Sequence, residues 1–109
     1  MEDRVRFALE KLLNVAHEDT GQGRRMANFL LAWWKAEVHG GFDLTDLANV
    51  DPQVSDDIAI IFTYLAREED AVYATDYRGE IEEIIARWRP LPYPSRGGAV
   101  LRSIGELGA

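Results

Sequence analysis

The chain contains no cysteine among its 109 residues. That excludes disulfides and thiolate metal sites, and it removes any pointer to an oxidising compartment. Long apolar runs are also missing: the longest lie around FLLAWW and IAIIF, far short of the ~20 residues that a membrane-spanning helix needs. The first residues, MEDRVRF, are charged and lack the apolar stretch of a signal peptide. These absences lead us to expect a soluble cytoplasmic protein with no membrane contact.

Histidine is as scarce as cysteine is absent. His17 and His39 are the only two, and Gly21 stands where a zinc-binding H-E-x-x-H would need its second histidine. No metal and no cofactor is expected. Ser55, Ser95 and Ser103 lack the glycine-flanked elbow of a nucleophilic serine. Asp19-Thr20-Gly21 has the letters of an aspartic-protease loop, but it joins two helical patterns and has no second copy to pair with. Gly21-Gln22-Gly23 does not extend into a glycine-rich phosphate loop, and no strand precedes it. No catalytic residue is assigned, and a non-enzymatic protein is the expectation.

Basic side chains are nearly missing from one stretch. Residues 37–83 hold thirteen acidic side chains against two basic ones, whereas residues 84–109 hold four basic and one acidic. The middle of this chain, whose net charge is −7, is therefore a concentrated negative field. Direct binding to nucleic acid is disfavoured, because phosphate backbones select lysine and arginine. A basic protein surface is the expected partner.

What is present, at 47% apolar residues, is enough for a core without staples. Its periodicity is helical throughout. Val5, Ala8, Leu9, Leu12, Leu13 and Ala16 recur at three- and four-residue spacing and predict an amphipathic helix over about 3–17, with Phe7 on its opposite face. Met26 to Val38, with Trp33 and Trp34, is apolar over more than half its circumference, so this helix is expected at the centre, covered from two directions. Gly40-Gly41 ends it. Phe42 to Val50 reads as a turn and a short helical piece with Leu44, Leu47 and Val50 inward. Asp51-Pro52 is a capping start for a third helix. Its core stripe is Val54, Ile58, Ile61, Phe62 and Leu65, with Ile60 and Tyr64 on another side. Tyr77, Ile81, Ile84, Ile85 and Trp88 define a last main helix. The expected fold is all-α, a compact bundle of four main helices plus a short one over residues 1–89. A Pro/Gly-containing tail follows over 90–109, where Val100 to Leu107 suits one docking turn of helix.

Three groups of candidate residues follow. Asp56, Asp57, Glu68, Glu69, Asp70, Glu80, Glu82 and Glu83 flank the core stripes and are expected to face outward as an acidic surface. Gly21, Gln22, Gly23, Arg24 and Arg25 open the second helix. There Asp19 and Gln22 have capping-box spacing. Two arginines oppose the helix dipole and call for acidic partners, or for an external anion such as a phosphate. Phe7, Ile60 and Tyr64 fall off the main stripes and are expected to contact the tail or a second subunit, which leaves a homo-oligomer open.

The stretch ALEKLLNVAHEDTGQGRRMANFLLAWW, with GGFDLTDL and WRP after it, resembles a family of small uncharacterised proteins from proteobacteria, found on chromosomes, plasmids and prophages. The similarity spans roughly residues 8–90 and carries over no functional residue. What the resemblance implies is a mobile-element setting. Small acidic proteins there often bind and block larger machinery, anti-CRISPR proteins and nucleic-acid mimics among them.

Overall fold

The computed structural model describes residues 1–90. Helices follow one another as α1 (Asp3–Ala16), α2 (Gly21–His39), the 3₁₀ helix η1 (Leu44–Asn49), α3 (Pro52–Arg67), the 3₁₀ turn η2 (Thr75–Tyr77) and α4 (Arg78–Trp88). No strand occurs among the described residues. The proposed docking turn at Val100 to Leu107 lies outside them.

α1 buries its whole stripe, from Val5 to Ala16, and packs against α2 and α3 and, over less length, α4. The chain then turns tightly, with Glu18 N donating to the carbonyl of Val15 at 3.0 Å. The start of α2 lies so close to this turn that a Cβ on Gly23 would stand 2.1 Å from the Glu18 carbonyl oxygen and 2.9 Å from that of Val15. Only glycine fits between the end of α1 and the first turn of α2.

α2 has α1 on one side and α4 on another, as its wide apolar circumference requires. Met26, Ala27, Phe29, Leu30 and Leu31 are buried, while Trp33 and Trp34 are half-buried and packed against the core. The helix is broken at Lys35, whose backbone is extended (φ −167°, ψ 85°), and it ends at Gly40 in the positive-φ region (91°) that glycine favours. That break takes Val38 out of the apolar face, and it is exposed.

Phe29 explains a second departure from periodicity. Its ring meets Phe42 edge-on at 5.4 Å and Phe62 at 5.9 Å, tying α2 to the segment before η1 and to α3. Phe62, expected in the core, is 46% exposed, because it caps this aromatic row from outside. Ile60 and Tyr64, expected off the core, are half-buried and packed against it. Helix α3 is thus rotated about its axis relative to the expected stripe. Leu44 is exposed as well, since η1 is a 3₁₀ turn and only Leu47 and Val50 reach the core.

Side-chain hydrogen bonds fasten the ends of the bundle. Trp88 Nε1 donates to the Ala16 carbonyl at 2.7 Å, and Trp33 Nε1 donates to the Val72 carbonyl at 2.8 Å. Tyr77 OH donates to Glu10 at 2.7 Å, and Arg89 bridges Asn28 Oδ1 (2.6 Å) and the His39 carbonyl (3.1 Å). Burial, seconded by the bond to Glu10, raises the pKa of Tyr77, so its phenol stays protonated and donating.

Candidate functional site

The acidic candidates do not all share one surface. Asp57 is 6% exposed and its carboxylate meets the Lys11 ammonium at 3.1 Å, so it joins α3 to α1 and does not belong to an outward face. The rotation of α3 that exposes Phe62 is also what turns Asp57 inward. Asp56, Glu68, Glu69, Asp70, Glu80, Glu82 and Glu83 are exposed. Two of them have side-chain partners. Glu83 meets His17 Nε2 at 3.1 Å, and Glu82 lies 4.0 Å from Arg78 one helical turn away.

Glu68, Glu69 and Asp70 form a run at the end of α3. None of the three makes an ion pair among the described residues. The segment that carries them is held from behind, because Val72 accepts the Trp33 indole bond. Asp76 on η2 and Glu80 in the first turn of α4 are exposed as well. Exposed carboxylates without internal partners can attract cations and cationic side chains by field.

The start of α2 is built differently from the expected capping box. Thr20, not Asp19, is the N-cap, and its Oγ1 accepts from Gly23 N at 2.9 Å. Gln22 faces away from its own helix. Its Oε1 accepts from Asp51 N at 2.6 Å and its Nε2 donates to the Asp51 carboxylate at 3.4 Å, so it couples the starts of α2 and α3. Asp51 stands at the N-cap of α3 with Pro52 behind it, but its side chain is given to Gln22 and makes no bond to its own helix. Arg25 crosses to η1, donating to the Asn49 carbonyl at 3.4 Å and approaching Asp46 at 3.8 Å. Arg24 is exposed and has no ion pair among the described residues. Of the five residues proposed to hold an anion, Gln22, Gly23 and Arg25 are therefore committed to packing within the fold. Asp19 lies 4.0 Å from Arg87.

Among the apolar candidates, Phe7 alone is freely exposed, at 68%. Ile60 and Tyr64 are half-buried and packed against the core.

A groove between α2, the segment after α3 and α4 had no counterpart in the sequence reading. It is open to solvent, measures about 680 Å³ and is lined by Trp33, Trp34, Lys35, Tyr73, Thr75 and Arg78 along with small α2 residues and Glu37. The Arg78 guanidinium lies 5.2 Å from the centre of the Trp34 ring. Its elements come together only through packing, since forty-odd residues separate Trp34 from Arg78 in the chain. The one local signal was the Trp-Trp-Lys triplet, where a charge follows two large rings.

Residues 6–89 match the family described as "Family of unknown function (DUF7673)", and the chain belongs to that family. Neither the curated proteins nor the solved structures provide a match. Among the described residues, no cluster of three or more histidine, aspartate or glutamate side chains is arranged to hold a metal ion, and no helix is long and apolar enough to cross a membrane.

Proposed function

We propose that this member of the DUF7673 family is a non-enzymatic interaction protein that docks onto the basic surface of a protein partner through the acidic edge running from the end of α3 to the start of α4. The observation that carries the reading is the contrast between partnered and unpartnered carboxylates. Asp57, Asp46 and Glu10 each have a partner within the chain, whereas Glu68, Glu69 and Asp70 stand exposed in succession without one among the described residues. Adjacent like charges repel one another, and a cationic surface relieves that repulsion.

The partner we propose is a nucleic-acid-handling protein whose basic channel or face an acidic helical body can occupy, in the manner of an anti-CRISPR protein or nucleic-acid mimic. Support for that finer step is the resemblance to proteins of plasmids and prophages together with the charge distribution.

Capture of partners from the native host with the intact chain, identified by mass spectrometry, supplies the binding reaction. Association rates are then measured across a salt series. Reversing Glu68, Glu69 and Asp70 to lysine is expected to slow association about tenfold or more and to flatten its salt dependence, since surface charge acts mainly on encounter and is screened over about 8 Å at physiological salt. Glu82→Lys with Glu83→Lys should do less, because Glu82 lies beside Arg78 and Glu83 is bonded to His17. Salt-independent association, or a loss confined to Arg24→Ala, would overturn the acidic-edge reading in favour of the anion-binding alternative at the start of α2.

A further inference from the structure

The groove beside Trp34 concentrates the opposite charge from the rest of the middle of the chain. Arg78 is one of only two basic side chains in residues 37–83, and it stands in the groove with Lys35. Lys35 is exposed and unpaired among the described residues. Arg78 has one exposed carboxylate neighbour besides the Trp34 ring, that of Glu82 at 4.0 Å, beyond hydrogen-bonding distance. A guanidinium over the face of an indole still has N–H donors that can fork onto the oxygens of a phosphate or carboxylate.

The walls suit the body of a ligand as well as its charge. Trp33 is fixed by its bond to the Val72 carbonyl, and the next residue, Tyr73, presents a half-exposed ring to the groove. Ala32 and Ala36 leave room along α2, and the extended backbone at Lys35 interrupts the helix within this wall. The groove, about 680 Å³ and open to solvent, has room for a small molecule held against one wall. Glu37 on the same groove disfavours a polyanion and limits the charge that fits.

We propose that this groove binds a small organic anion, a planar ring bearing one phosphate or carboxylate group. The ring lies against Tyr73 and the indoles, and Arg78 with Lys35 holds the anionic group. The groove shares the segment after α3 with the acidic edge, through Tyr73 and Thr75, but ligand binding in it does not require a basic protein partner.

The test titrates the intact chain with adenosine 5′-monophosphate and, in a second arm, with 4-hydroxyphenylacetate, which distinguishes a phosphate source from a carboxylate source. Binding is read by calorimetry and by the NMR shifts of the Trp33 and Trp34 indole N–H groups. The expected result is saturable shifting of both indoles by at least one probe, with a Kd below about 1 mM. Lys35→Met, at an exposed position that leaves the fold intact, and Arg78→Met should each weaken binding about tenfold. Adenosine and inorganic phosphate should each bind at least about tenfold more weakly than the nucleotide, as half-ligands do. No indole shift with either probe at about 10 mM, shifts unchanged in Lys35→Met, or inorganic phosphate binding as well as the nucleotide would overturn the proposal.

Discussion

The carboxylate of Asp57, inside the bundle, meets the ammonium of Lys11, outside it, at 3.1 Å, with side-chain exposures of 8% and 62%. Lys11 reaches over the edge of α1 with its charge still in water, and Asp57 is the one buried charged residue among those described. A buried carboxylate that loses its partner is left desolvated, which is the costly half of such a pair. Lys11→Met should therefore destabilise the protein by about 1–2 kcal/mol, the exposure of the lysine holding the value to the low end of the range for paired charges. Asp57→Asn in the Lys11→Met background should recover part of that loss. Urea denaturation of the two single variants and the double variant measures the coupling, and strict additivity would show that the pair contributes nothing.

Two glycines should respond to alanine with opposite signs. In a helix alanine is preferred to glycine by about 1 kcal/mol. At Gly79 a Cβ would meet nothing within 4 Å, so Gly79→Ala should stabilise by about 0.5–1 kcal/mol. Gly23→Ala places a methyl group 2.1 Å from one backbone oxygen and 2.9 Å from another, neither of which can swing aside as a side chain would. The α1–α2 junction must open, and a loss of about 2 kcal/mol or more is expected, of the size seen for overpacked sites. Thermal unfolding of both variants checks the pair of signs.

The helices themselves were legible because each repeats its apolar residues at a single period, and the six-residue stripe of α1 is buried as spaced. Where two phases compete, periodicity alone could not decide. In α3, Val54, Ile58 and Ile61 are consistent with either Phe62 or Ile60 and Tyr64 as neighbours, and the choice fell to Phe29, which draws Phe62 toward the rim. Asp57 turned inward for the same reason, and a lysine on another helix is what makes that burial tolerable. At the start of α2, Asp19 and Thr20 are both good caps, and the tight turn after Ala16 selects Thr20. The acidic edge could be seen in composition, whereas the groove could not, since its two cations and three rings converge only in three dimensions.

His39, the last residue of α2, should register in the pH dependence of stability. Burial first, and then the positive charges of Arg89 and Lys35, lower its pKa below the ordinary value of 6.5. The folded state therefore resists protonation at a pH where the unfolded chain accepts it. Its contribution is intact above about pH 6.5 and is lost progressively as the pH falls below that value toward the folded pKa, where the loss levels off. His39→Gln removes the titration while keeping the backbone carbonyl that accepts from Arg89. Denaturation midpoints from about pH 7.5 down to 5 should fall for the native chain and fall less for the variant, His17 being present in both. Parallel curves would remove His39 from the account.

Trp33 connects the core to the acidic edge, so its replacement separates fold stability from the presentation of Glu68 to Asp70. Trp33→Phe keeps most of the apolar contact and removes the indole N–H that donates to Val72, at an expected cost of about 1 kcal/mol. Trp33→Ala also empties a half-buried site, and about 2–3 kcal/mol is expected, below the 3–5 kcal/mol of fully buried aromatics. The segment after α3 depends on that bond for its position. Cleavage by a glutamate-specific protease at Glu68 and Glu69 should accelerate in Trp33→Phe under conditions where the fold remains intact by circular dichroism. Equal cleavage rates in the native chain and Trp33→Phe would mean that other contacts hold the acidic edge in place. Faster cleavage together with slower association to a basic partner would tie the Trp33 anchor to binding, because a loosened edge must be ordered again each time it docks.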